Sequence, residues 1–158
     1  MDGRQDGKGW QLMGSFSDDI ARFAKKAGSN ADLVTRKVVL DIGTSLVEKT
    51  PVGDASYWQS PPPPGYVGGH ARGGWSHSEG AQVVQEFEGV DPSGGNSINR
   101  IAASVPIHAA GKVHYIQNSV PYIQALEDGR SRQAPFGMVS ITKVEFQGII
   151  RDAVGKVK

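Results

Sequence analysis

"SNADLVTRKVVLDIGTSLVEKTP", residues 29–51, decides the fold. Val34, Val38, Ile42 and Leu46 recur every fourth residue, and Leu33, Val39 and Val47 widen them into one apolar stripe. That period belongs to an α-helix with one face turned to a core. Ser29 and Asp32 stand at the S-x-x-D spacing of a capping box, which predicts a helix start at Ser29. Pro51 lacks a backbone donor and ends the helix. Its many β-branched residues are modest helix formers, so packing rather than propensity must hold it.

Upstream, "SFSDDIARFAKKAG" (15–28) predicts a separate short helix. Ser17 is placed to cap it, Asp18 and Asp19 sit at its positive end, and Gly28 is a natural stop. Residues 1–14 hold four glycines and mixed charges, and read as a flexible N-terminal arm.

Downstream of Pro51 the periodicity collapses. Residues 51–80 carry four consecutive prolines, Pro61 to Pro64, two Gly-Gly pairs and an exposed-looking aromatic set of Tyr57, Trp58 and Tyr66. A loop this long in a compact domain is usually functional or disordered. A strand is expected near Trp75, and a second, with a helix as the alternative, in "AQVVQEFEGV" (81–90), whose alternation is imperfect. "DPSGGNSINRIAASV" (91–105) reads as a turn and a short helix, and "GKVHYIQNS" (111–119) alternates like a strand. Pro121 opens a further short helix that Gly129 closes, and residues 134–156 form the last long helix. Together these predict a single α+β domain, residues 15–158, in which a small antiparallel sheet packs against two long helices and a Pro/Gly-rich loop spans 51–80.

The totals narrow the function. A chain of 158 residues suits one domain with a real core. With no cysteine, disulfides, thiol nucleophiles and cysteine-based zinc sites are out, and a reducing cytoplasm is the simplest setting. No apolar run is long enough for a membrane helix, and "MDGRQDGKGW" shows no signal-peptide core. The net charge of +1 leans against a dedicated nucleic-acid binder.

Motifs with chemical content are scarce. His70 and His77 are seven apart and His108 and His114 flank a turn, but neither pair has a metal-ligand spacing, so structural or solvated histidines are the reading. "GYVGGHARGG" (65–74) lacks the G-K-[ST] ending of a phosphate loop. There is no G-x-S-x-G elbow, and the adjacent Glu127 and Asp128 would point about 100° apart on a helix. No catalytic, metal or cofactor residue is assigned, and the chain is read as a non-enzyme. Arg72, Arg100, Arg130, Arg132, Arg151 and Lys112 read as solvated faces and interface ion pairs, although a ring would repeat each of them around a channel.

"NSVPYIQALEDGRSRQAPFGMV" (118–139) is the densest polar stretch. With "VEKTPVGD" (47–54) and "ARGGW" (71–75), it resembles the neck or tail-completion proteins of long-tailed bacteriophages, the minor tail protein Z type. The resemblance rests on Asn118, Pro121, Tyr122, Leu126, Glu127, Gly129, Ser131, Gln133, Ala134, Pro135, Gly137, Met138 and Val139 and spans residues 30–155. "ASYWQSPPPPGYVGGH" (55–70) departs from the family pattern as an insertion.

The resemblance implies a structural virion protein without catalysis: a homo-hexameric ring at the head–tail junction, assembled in the host cytoplasm. Its expected neighbours are head-closure or connector proteins and the tail terminator or tail tube. DNA would pass through the channel without sequence-specific binding, and no membrane is involved. Tyr57, Trp58, Tyr66, Arg72, Trp75, Glu127, Arg130 and Arg132 are the expected subunit or partner contacts. A tail terminator ring is the close alternative, and a nucleic-acid-binding module the alternative of another class. Loss of residues 58–69 is expected to spare the fold and impair assembly.

Overall fold

The structure, a computed structural model, describes the backbone of residues 8–157 and the side chains from Gly28 onward together with Lys25. Its first element, α1 (Lys8–Lys49), is one helix of 42 residues. The break expected at Gly28 does not occur. Gly28 has nothing within 4 Å of where a side chain would begin, and it is helical rather than left-handed. A helical glycine costs only about 1 kcal/mol relative to alanine, which its neighbours absorb. The capping box expected at Ser29 and Asp32 is not used either, because Asp32 reaches across to His108 at 3.1 Å and to the Ala110 N–H at 2.9 Å. Ser17 lies within the helix and does not start it. Of the expected arm, residues 8–14 have helical backbone, and residues 1–7 lie outside the described residues.

After α1 come a single 3-10 turn (Ala55–Tyr57), α2 (His70–Gly73), β1 (Trp75–Glu79), α3 (Gly95–Ser104), β2 (His114–Asn118), α4 (Ile123–Glu127) and α5 (Val139–Lys156). The fold is mixed helix and strand, with a two-stranded antiparallel sheet that pairs Trp75 with Asn118 and Glu79 with His114. The strand expected at 81–90 is absent. Val83 N–H donates to Gln117 Oε1 at 3.0 Å and Gln85 N–H to Ser119 Oγ at 3.2 Å, so side chains take the bonds a ladder would have used. Val84 between them is 92% exposed, and no alternating face is buried there to set a strand register.

The apolar stripe of α1 supplies Leu46 and Val47 to a core completed by Trp75, Ile101, Ala134 and Met138. A smaller cluster joins Val39 to Val105 and Ala109. Burying a side chain the size of Ile101 or Met138 contributes about 2–3 kcal/mol before the entropy of ordering it. α5 packs along α1. Their seam carries Ser45 Oγ 3.1 Å from Thr142 Oγ1, and Lys49 donating to Glu145 at 2.7 Å.

Thr50 ties the end of α1 to the sheet. Fully buried, its hydroxyl donates to the Leu46 carbonyl at 2.7 Å and accepts from the Trp75 indole N–H at 2.7 Å. Arg72 donates to the Thr50 and Glu48 carbonyls, at 2.9 and 3.3 Å, and to the Pro92 carbonyl at 2.7 Å. The last carbonyls of a helix have no partner within it, so this guanidinium acts as a C-cap from another segment. Thr50→Val would leave the indole N–H buried without an acceptor and is expected to lower stability by about 1–3 kcal/mol. Urea unfolding reads this as a lower midpoint at unchanged slope, and Thr50→Ser should recover most of it; an unchanged midpoint in the valine variant refutes the role.

Candidate functional site

Two segments distant in sequence, the loop after α1 and the turn after α4, face each other across a groove of about 830 Å³. Tyr57, Trp58 and Tyr66 come from the loop, and Tyr122, Arg130, Arg132 and Gln133 from residues 122–133. His70 and Ala71 of α2 also line it. Nine of the residues singled out from the sequence are thereby brought together: Tyr57, Trp58, Tyr66, Arg130 and Arg132 of the expected contacts, with Tyr122, Leu126, Ser131 and Gln133 of the motif.

Local chemistry sets each wall. Asp54 accepts from the Ser56 N–H at 2.8 Å and caps the short turn that carries Tyr57. That bond holds the Asp54 carboxyl below its ordinary value. The tip of the loop doubles back through a turn in which Tyr66 N–H donates to the Pro63 carbonyl at 3.1 Å. Trp58 and Tyr66 then meet with ring centroids 4.7 Å apart. Asn118 sets the position of the opposite wall: its side-chain N–H donates to the Ala71 carbonyl at 2.8 Å and its oxygen accepts from Val120 N–H at 3.1 Å. Tyr122 follows, its ring 6.3 Å from that of His70. Burial, first, keeps the Tyr122 phenol protonated above its ordinary range. His70 sits 2.9 Å from the Gly89 carbonyl and 3.2 Å from Glu86, and the carbonyl contact chiefly raises its value.

The other expected contact residues have structural work. Trp75 is 3% exposed, and its indole is spent on Thr50, so a surface role for it is corrected to a core role. Arg72 is committed to two carbonyls at the end of α1 and to that of Pro92. Glu127 receives the N–H groups of Met138 and Val139 at 2.8 and 2.9 Å, and the N–H and hydroxyl of Ser140 at 2.9 and 2.7 Å. It caps the start of α5 from eleven or more residues away, where the helix dipole also favours its charge. Gly137 permits the approach. Its φ is +75°, and a side chain there would meet the Glu127 carbonyl oxygen at 2.5 Å. Gly129 (φ +77°) is pressed against the Pro135 carbonyl in the same way.

Burial pushes the Glu127 carboxyl up, but the Ser140 hydroxyl and the three N–H groups outweigh it and hold the value below 4.5. Asp91 is built alike, with burial opposed by Ser97, whose N–H and hydroxyl lie 2.9 and 3.0 Å away at the start of α3. The basic residues split into two groups. Arg100 donates to the Gly73 and Trp75 carbonyls at 3.0 and 2.8 Å and lies over the Phe87 ring, and Lys112 pairs with Glu79 at 3.0 Å. Arg130 and Arg132 are exposed and have no side-chain partner among the described residues.

The histidines regroup across the sheet. His77 Nε2 lies 2.9 Å from His114 Nδ1 with the rings stacked. His77 Nδ1 meets Ser104 Oγ at 2.9 Å and His114 Nε2 meets the Ala109 carbonyl at 2.8 Å, so all four ring nitrogens are engaged. Burial, then the neighbouring His114 ring, push the His77 imidazole down, with Glu79 opposing. Among the described residues no group of three His, Asp or Glu is placed to hold a metal ion. No helix of those residues is long and apolar enough to cross a membrane.

Sequence reasoning missed the roles of Ser140, Asp91 and the His77–His114 pair. Ser140 stands in the first turn of α5, where a capping partner could have been sought; the histidine pairing had no local signal. Comparison with protein-family models, with curated proteins and with solved structures finds no match for this chain.

Acid is expected to destabilise the fold in two stages. Neutral His77 favours the folded state above its ordinary value of 6.5, and that contribution is lost as the pH falls. Glu127 contributes fully above 4.5 and loses its contribution as the pH drops through its lower folded value. Glu127→Gln should cost about 1–2 kcal/mol at neutral pH and flatten the lower stage, as read from urea midpoints across a pH series. A lower stage unchanged in the variant refutes the cap.

Proposed function

We propose that the chain is a neck or tail-completion subunit of a long-tailed bacteriophage, a structural component of a ring at the head–tail junction. The supporting observation is where the residues that carry the family resemblance meet. Thr50, Arg72, Trp75, Asn118, Tyr122 and Glu127 come from segments spread over nearly eighty positions; Arg72 and Trp75 both bond to Thr50, Asn118 bonds to Ala71 beside Arg72, Tyr122 lines the groove, and Glu127 holds the start of α5. Their polar groups hold backbone in place rather than converge on a reacting atom, which is what a shape-bearing motif requires.

In this reading α1 and α5 are the frame, and the Pro/Gly-rich loop with the groove beside it carries contacts to other subunits. The ring is a hexamer that meets head-closure or connector proteins on one side and the tail terminator or tube on the other. Tail termination is the neighbouring role.

Electron microscopy of lysates from a phage lacking this gene separates the two. Filled heads beside free tails of normal length are expected; tails of uncontrolled length would make the protein the terminator, and infectious virions overturn both. The loop deletion must be narrower than 58–69. The Gly69 carbonyl accepts from Gly73 and Asp91 N–H at 2.9 and 3.1 Å, and a side chain at Gly68 would collide with Val52. Removal of residues 59–65 is expected to leave far-UV circular dichroism and the urea midpoint near wild type while abolishing incorporation into virions. Normal incorporation would show that the loop tip makes no necessary contact.

A further inference from the structure

The tip of the loop and the groove beside it have complementary chemistry. Pro61 to Pro64 are all exposed, and Pro61–Pro63 lead without helix or strand into a turn at Pro64–Gly65. Prolines have no N–H, so the run presents stiff apolar rings and carbonyl acceptors, of which that of Pro63 is already taken by the Tyr66 N–H. The groove presents the opposite set. Tyr57, Trp58 and Tyr122 are 57%, 42% and 46% exposed and offer aromatic faces, while Arg130, Arg132 and the Trp58 indole N–H are donors without partners among the described residues. Aromatic faces interleaved with donors are the usual means of binding a polyproline helix, which is already extended and loses little entropy when it docks.

We infer that the groove of one copy receives the Pro61–Pro64 run of a second copy. The run cannot serve its own groove. Contact between Trp58 and Tyr66 closes the base of the loop, the turn at Pro64–Gly65 reverses the chain at its tip, and Pro61–Pro64 stay exposed and are no part of the lining of their own groove. The charge balance agrees, since Arg130 and Arg132 face a segment without a cation, and the carboxylate in the groove wall, Asp54, is engaged with Ser56. Each copy carries one tip and one groove, so the contact is head-to-tail and can propagate around a ring. It rests on the ring reading only for its place in a virion; the contact itself stands on the groove and the tip.

The test uses the full chain with P61S, P62S, P63S and P64S, which frees the groove of competing tips. A synthetic peptide of residues 59–65, QSPPPPG, is titrated against it by tryptophan fluorescence, with QSSSSSG as control. Saturable binding of the proline peptide alone is expected, weakened by about tenfold or more in Arg132→Ala and in Tyr57→Ala. Both positions are exposed, and circular dichroism establishes that the variants fold. Absence of binding, equal binding of the serine peptide, or indifference to both substitutions overturns the proposal. So does preference for oligo-aspartate or a single-stranded oligonucleotide, which would give the groove to an acidic partner. Peptide binding with normal virions from the gene deletion would leave the subunit contact standing and sink the neck reading; free tails without peptide binding would do the reverse.

Discussion

A helix of 42 residues has to end somewhere inside the fold, and its last carbonyls must find donors. Here they find Arg72, and the residue just past the helix, Thr50, is both donor to Leu46 and acceptor for Trp75. This buried junction fixes where the sheet begins relative to α1. From Trp75 the register follows, with Asn118 opposite it, and Asn118 in turn binds the Ala71 carbonyl. The position of Tyr122 and the opposite wall of the groove depend on that chain of bonds. A loose end of α1 would therefore displace a groove built mostly from other segments.

The same economy appears at α5. A helix that starts without a local side-chain cap takes its cap from Glu127, at the end of a different helix. The bond stack closes the turn between α4 and α5, and Gly129 and Gly137 are the two places where that turn needs left-handed backbone. The polar density of residues 118–139 is explained by these bonds. What remains unspent is on the surface: two arginines, an indole N–H and aromatic faces beside an exposed polyproline run. Exposed groups of that kind are the normal ingredients of a protein contact.

Much was legible in the sequence because it was local. The apolar period of residues 33–47 specifies a helix and its buried face, Pro51 specifies its end, and the alternation in residues 113–118 specifies β2. Tyr57, Trp58, Tyr66, Arg130 and Arg132 stood out because aromatic and cationic side chains in Gly/Pro-rich segments have no core face to serve, and all five line the groove.

The rest depended on which distant groups meet. Gly28 could read as a stop or a tolerated interior residue, and Asp32 as a cap or a reach to His108; neighbours, not propensity, chose the second in each case. Residues 81–90 had strand-like composition, but the available bonds came from Gln117 and Ser119 side chains. Trp75 and Arg72 resembled surface groups until the end of α1 was brought against them. Local periodicity encodes each element and its buried side, because it is set by backbone geometry. The partner of a single buried donor or carboxylate is set by chain topology, and only the tertiary structure decides it.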